Sequence, residues 1–436
     1  MVGSPHRGST PGARSRGMIG LVADDLTGAS DAGVQFTRAG LSTRVLFEAH
    51  RPLPRVAVDA LSIDTDTRPL PAGQAYTRVR EVAEALRSLE PRHVYKKIDS
   101  TLRGNLGAEI DAIMDAFDAS LAVVAPAFPA LGRTTRDGVQ YVRGTPVAQT
   151  EAAQDPRAPV HESNIVRLLE QQSRRGAAHI PLDAIARGPT AFRPLAEAQH
   201  APILVCDAQT DEHLANLVSS FIDREDVVWV GSAGLAEQVA VRIEPGDGVA
   251  RHPLSAPEGV ILLICASLSE VTHRQAAAYA AQPDVVTVRV DPVALAGIRS
   301  KEAELRRCGC AVSAALREGR DCALVVGTEA VHSADAAQHI VDALGQLGAD
   351  LMRQHRLGGV ILTGGDTARA VCHAAGVTGI DLFGEIEPGV PLGRLIGEIQ
   401  LPAVTKAGAF GSNDAVLHAR RSLRELQPAR KGASVR

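Results

Sequence analysis

The sequence predicts an α/β protein made of two α/β domains with mostly parallel sheets and a site in the interdomain cleft. Three observations carry this. Short apolar runs alternate with stretches of helical period from Met18 to about Leu426, the pattern of βαβ units. Aromatic residues are only 3% of the chain, with the single tryptophan Trp229, so the core is built from Val, Leu, Ile and Ala. Such cores suit parallel sheets covered by helices. A Pro/Gly-rich stretch without period interrupts the pattern, which then restarts.

In the first half, Met18–Ala23 reads as a strand ending at Asp24-Asp25. Ala29, Ala32, Gly33 and Phe36 form a helical stripe, closed by Gly40. Thr43–Phe47 and Arg55–Ile63 read as strands, the second ending at Asp64-Thr65-Asp66-Thr67-Arg68. Ala75, Val79, Val82, Ala83 and Leu86 make the next stripe. His93–Ile98 is a strand ending at Asp99-Ser100. A stripe from Leu106 to Phe117 and the strand Leu121–Ala125 follow. From Gly144 to about Arg175 no clean period exists, which suggests an excursion over the sheet. Ile203–Asp207 and Val227–Val230 are later strands.

In the second half, Gly259–Ala266, Val285–Val290, Ala323–Gly327 and Gly359–Thr363 read as strands, and Ala415–Leu426 as the last helix. The expected layout is a disordered tail at 1–17, a domain at 18–243, a linker at 244–258, a domain at 259–426 and a tail at 427–436.

The 436 residues carry 46 Lys+Arg against 50 Asp+Glu, a net charge of −4. No global basic field draws the chain to nucleic acid or an anionic membrane, so neither partner is expected. The apolar run Val260–Ala266 is far too short to span a bilayer. The first 17 residues lack an apolar core and do not read as a targeting signal. Six cysteines without a CxxC pair fit reduced thiols, and a cytoplasmic location is expected. Only five basic residues are lysines (Lys96, Lys97, Lys301, Lys406, Lys431), which singles each one out.

Ligands of open parallel sheets bind beyond the carboxyl ends of strands, so those ends are the place to search. Asp24-Asp25 could supply a general base for a substrate hydroxyl, a Mg²⁺ ligand or a helix cap. The densest polar cluster is Tyr95–Asn105, holding Lys96, Lys97, Asp99, Ser100 and Arg103. On a strand, Lys97 and Asp99 share a face and Lys96 points away. A lysine, a forked arginine, hydroxyls and a helix start suit an anion. Arg68 could clamp a substrate carboxylate or pair with its neighbours Asp64 or Asp66. Pro129–Thr135 places Arg133 and two hydroxyls in a turn at the rim.

In the second half, Thr363–Thr367 (TGGDT) is a strand–glycine–helix junction of phosphate-compatible type, though not a GxxxxGK[ST] loop. Ser267 and Ser269 sit at another such junction, and Lys406-Ala407-Gly408 lies in a third loop. The fourteen histidines show no metal-site spacing, and metal ligands are not readable.

Together, ADDLTGASDAG (Ala23–Gly33), KKIDSTLRGNLGAE (Lys96–Glu109), PAFPALGRTT (Pro126–Thr135), TGGDT (Thr363–Thr367) and KAGAFG (Lys406–Gly411) resemble the four-carbon acid sugar kinase family. The resemblance runs from Met18 to about Leu426. It implies ATP-dependent phosphorylation, with Mg²⁺, of the terminal 4-hydroxyl of a four-carbon sugar acid. The N-terminal domain would hold the acid and the C-terminal domain ATP. By motif, substrate would meet Asp25, Arg68, Lys97, Ile98, Asp99 and Ser100, with Arg103 beside them and Asp25 as the base. ATP would meet Ser267, taken ahead of Ser269, then Gly364, Gly365, Asp366, Thr367 and Gly408. The family's GGET-like turn is GGDT here, which keeps the charge. YKKIDSTLRGN, GRTT and TEAAQDPRAPV (Thr150–Val160) are closer to members acting on D-threonate than on 3-oxo-tetronates.

Alternatives within the family are D-erythronate, L-threonate or a 3-oxo-tetronate. Alternatives of other classes are an NAD-dependent dehydrogenase, which lacks its GxGxxG here, and a non-catalytic sugar-acid sensor. The residues do not show the oligomeric state, and a homodimer is the working expectation.

Overall fold

Most of the apolar runs become strands buried on both faces, the burial that parallel sheets require. The computed structural model describes residues 15–47, 53, 56–155, 157–246, 254–266, 269–296, 300–327, 334–408 and 410–428. The chain divides into two units, 1–43 with 49–249 and 44–48 with 250–436.

The first unit runs β1 (Ile19–Ala23), α1 (Leu26–Arg38), β2 (Ala60–Asp64), α2 (Ala72–Arg87), β3 (His93–Lys97), α3 (Leu106–Phe117), β4 (Leu121–Ala125), β5 (Ala177–Ile180), β6 (Ile203–Cys206) and β7 (Val227–Gly231). These strands lie side by side in the order β5-β6-β4-β7-β3-β1-β2, all neighbours parallel. The chain leaves β1 towards β2 and then crosses to β3 on the other side. The crevice at the carboxyl ends of β1 and β3 is therefore a topological switch point, where helices diverge and leave room for a ligand. Beneath it lies an aliphatic core around Trp229, Tyr95 and Phe36. Register places Trp229 beside Tyr95.

The second unit runs β8 (Val260–Cys265), α4 (Glu270–Ala280), β9 (Val285–Val290), β10 (Asp321–Val326), β11 (Leu357–Thr363), α5 (Gly365–Ala374), β12 (Val377–Glu387), β13 (Val390–Gly397) and β14 (Pro402–Lys406). Its order is β12-β13-β14-β11-β8-β10-β9. Its switch point falls between β8 and β11, because the chain passes from β10 across β8 to reach β11. Here Ile261, Leu263, Val404 and Tyr279 form the core. The early segment 44–48 groups with this unit, and the Arg44 Nε donates to Asp381 at 2.5 Å.

Several boundaries differ from the expectation. Ser15–Arg16, assigned to a tail, pairs in parallel with Ile243–Glu244. The second apolar strand begins at Ala60 rather than Arg55. β3 stops at Lys97, so Asp99 stands beyond the strand and not on its face. A three-stranded antiparallel sheet (Arg133–Arg136, Val139–Val142, Thr145–Pro146) leads into the stretch from Gly144, which goes on through two 3₁₀ turns and a helix, Ile165–Gln172. The β12–β13 hairpin was not read at all. It reverses at Pro388-Gly389, and Gly389 supplies the positive φ (77°) that this two-residue turn needs.

Candidate active site

In the first unit, Asp25 leaves β1 in extended backbone and caps α1. Its Oδ1 accepts from the Gly28 N–H at 2.8 Å. Glycine keeps the space open: a Cβ on Gly28 would stand 2.5 Å from Asp25 Oδ1 and 3.1 Å from Lys97 Nζ and would push these charged ends aside. The small turn thus lets a carboxylate and an ammonium approach the same helix start.

Arg68 grips both adjacent carboxylates. Its Nε and one terminal nitrogen donate to Asp24 at 2.7 and 3.0 Å. The two terminal nitrogens donate to Asp25, both at 2.8 Å. Four of the five guanidinium N–H groups are thereby used. The expected pairing with Asp64 or Asp66 is not the one that forms: Arg68 pairs with Asp24 and Asp25, and one N–H is left over. The backbone enforces the meeting: the Asp24 carbonyl accepts from the N–H groups of Thr67 and Arg68. Burial pushes the Asp24 carboxyl up, but Arg68, Lys96 and Lys97 outweigh it and hold Asp24 below the ordinary range. Burial likewise opposes the Arg68 charge, and Asp24, Asp25 and Asp99 raise its pKa well above normal.

The two lysines of β3 take opposite roles, as their alternation predicts. Lys96 is fully buried and pairs with Glu109 of α3 at 2.7 Å. Lys97 turns the other way, and its Nζ donates to the Ile98 carbonyl at 3.0 Å. Ile98 is buried, and its N–H donates to Gly231. Asp99 accepts from Thr101 and from Arg103 Nε (2.6 Å), and Arg103 also reaches Asp155 at 3.1 Å. Burial raises the Asp99 carboxyl, yet Arg103 and Arg68 hold it far below the usual range. Ser100 lies half-buried in the same loop, where its carbonyl accepts from Gln140. Asn105 ties that loop to the carbonyls of Thr67 and Leu70. The structure therefore brings Asp25, Arg68, Lys97, Ile98, Asp99, Ser100 and Arg103 to one switch point. Asp24, Glu109 and Asp155 complete the network. Asp155 was legible only as part of TEAAQDPRAPV, without a role.

In the second unit, Ser269 caps α4, accepting from the Thr272 N–H and donating to the Gly408 carbonyl at 2.7 Å. Thr272 Oγ1 donates to the same carbonyl, also at 2.7 Å. Ser267 lies outside the described residues. Gly364 has φ 96° and its N–H donates to the Lys406 carbonyl at 2.9 Å. Gly365, Asp366 and Thr367 form the first turn of α5, whose N-terminus carries no side-chain cap. Its first N–H groups and the helix dipole favour an anion. Ser269, Gly364–Thr367 and Gly408 thus gather at the second switch point. Among the described residues, no group of three or more His, Cys, Asp or Glu could hold a metal ion.

The first unit thus presents a carboxylate–arginine–lysine crevice, and the second a glycine-lined helix start that favours an anion. Residues 19–239 match the model of a sugar-binding N-terminal domain, and 262–416 that of a nucleotide-binding C-terminal domain. The chain belongs to the four-carbon acid sugar kinase family. It is 38% identical over 415 residues to a D-threonate kinase of Bordetella bronchiseptica, covering 93% of this chain and 98% of that protein. A D-threonate kinase of Salmonella typhimurium is 33% identical over 424 residues, covering 93% and 98%. A D-erythronate kinase of Heliobacterium modesticaldum is 32% identical over 424 residues, covering 91% and 94%. The fold matches a solved Salmonella typhimurium protein with TM-score 0.81 at 25% identity, over 93% of this chain and 99% of that one. No helix among the described residues is long and apolar enough to cross a membrane.

Proposed function

We propose that this protein transfers the γ-phosphoryl group of ATP to the terminal 4-hydroxyl of D-threonate, releasing ADP. The observation that supports this best is the Asp25 carboxylate, fixed by Arg68 and the Gly28 N–H at the switch point of the sugar-binding unit. A carboxylate has about four acceptor positions, and three on Asp25 are used. One on Oδ2 remains to take the proton of the attacking hydroxyl. Arg68 then orients the base more than it clamps substrate, with one N–H left for the acid. Lys97 and Arg103 supply positive charge for the substrate carboxylate or the migrating phosphoryl group. Such transfers proceed mainly through positioning and electrostatics.

Gly364–Thr367, Ser269 and Gly408 would hold the nucleotide. Mg²⁺ favours phosphate oxygens plus one or two carboxylates, and Asp366 is the carboxylate beside that loop. The ion would neutralise charge on the phosphates. The test is ADP release over a panel of D-threonate, L-threonate, D-erythronate and 3-oxo-tetronates, with and without Mg²⁺. Mg²⁺-dependent turnover strongest on D-threonate is expected. A clear preference for another acid would move the substrate assignment to it, and silence on every acid would overturn the reading.

A further inference from the structure

We propose that the Lys406 ammonium holds the β- and γ-phosphates of the nucleotide in the second unit. Lys406 ends β14, where register places it beside Thr363 of β11, which in turn lies beside Cys265 of β8. Register partners in neighbouring strands share a face, so the three side chains line one side of the sheet at its carboxyl end. This is the edge from which the Gly364–Thr367 and Ser269 loops emerge.

The Lys406 side chain is only 3% exposed and is the one lysine or arginine in the buried set of the second unit, among the described residues. No carboxylate lies within ion-pair distance of it among those residues. Its bonds are long, 3.4 Å to Thr272 Oγ1 and 3.3 Å to the Gly408 carbonyl. Lys96 of the first unit, equally buried, has Glu109 at 2.7 Å. A buried charge without a counter-charge is unfavourable, and here burial pushes the lysine down to about 8. The neighbouring Thr363 Oγ1 is also buried and without a partner.

A buried ammonium with only two long bonds and an unpartnered hydroxyl thus sit at neighbouring strand ends next to an uncapped helix start. A polyphosphate satisfies all three. Moreover, Lys406 is not needed to anchor the Gly408 loop, since Ser269 and Thr272 already saturate that carbonyl. The inference rests on the kinase reading for the identity of its anion, and it adds a residue that the motif comparison did not assign.

The experiment is calorimetric titration of the full chain with ATP, AMP and adenosine, without sugar acid, from pH 7 to 9.5. Lys406→Met is expected to weaken ATP about 10–100-fold, the effect of one charge-assisted contact. AMP and adenosine should stay within about twofold. In the wild type, ATP affinity should fall above about pH 8; in Lys406→Met it should be flat. Cys265 is the titratable side chain facing the ammonium, and Cys265→Ala removes its contribution. The wild-type titration stands whether or not the variant folds. Equal weakening of ATP and adenosine, unchanged ATP affinity, or a flat wild-type profile would overturn the proposal. If the wild type turned over no four-carbon acid while ATP still depended on Lys406, the substrate reading would fall and this one would stand.

Discussion

Asp25→Asn separates the chemistry of the first unit from its architecture. Asparagine caps a helix as well as aspartate, so the Gly28 N–H keeps its acceptor and α1 should start where it does now. Arg68 retains both bonds to Asp24. The stability loss should therefore be small, about 1 kcal/mol. What disappears is Oδ2 as an acceptor, and with it the open position and the bond from one Arg68 terminal nitrogen. Loss of a general base typically lowers turnover 10²–10⁴-fold, about 3–5 kcal/mol in the barrier. The assay is steady-state ADP release with D-threonate, alongside calorimetric ATP binding and a thermal melt. The expectation is kcat down at least about 100-fold, ATP affinity within about twofold and a nearly unchanged melt. A kcat within about threefold of wild type would refute Asp25 as the base.

Other outcomes follow from the same geometry. Lys96→Met strands a buried carboxylate on Glu109 and should cost about 3–5 kcal/mol, whereas adding Glu109→Leu should recover most of it. Urea unfolding followed at Trp229, buried in the same unit, reads this directly; additive losses would contradict it. Burial already raises the Glu109 carboxyl, so the Lys96→Met penalty should shrink as pH falls towards 5. Asp99 has a depressed pKa, so its stabilisation is present above the unfolded value of about 3.9 and lost as pH falls below it. Asp99→Asn should accordingly melt lower than wild type at pH 7, with the gap narrowing progressively as pH falls below about 3.9. Gly364→Ala places a Cβ at φ 96° and should raise the KM for ATP while leaving that for D-threonate alone. Equal KM values for ATP would show that this turn does not carry nucleotide.

The alternation of apolar runs made the parallel core legible, because strands buried on both faces leave little room for other residues. The two switch points were legible as lists of what lies at strand ends. Arg68 was not, since its partners sit 43 and 44 positions away and no local spacing reveals a loop folding back on β1. The opposed directions of Lys96 and Lys97 were readable from strand alternation, but the Glu109 partner was hidden in a helical stripe. The β12–β13 hairpin escaped because glycines at 379, 384 and 393 blur its alternation. Lys406 stood out by lysine scarcity, yet its lack of a counter-charge is visible only in three dimensions.

Ser269 and Thr272 both hang from the single carbonyl of Gly408. The start of α4 and the segment after β14, 139 and 136 positions apart in the chain, are thus moored at one atom. A change at either hydroxyl would be felt in the far segment. Among natural variants, substitutions at 269 and 272 should accordingly arrive in company.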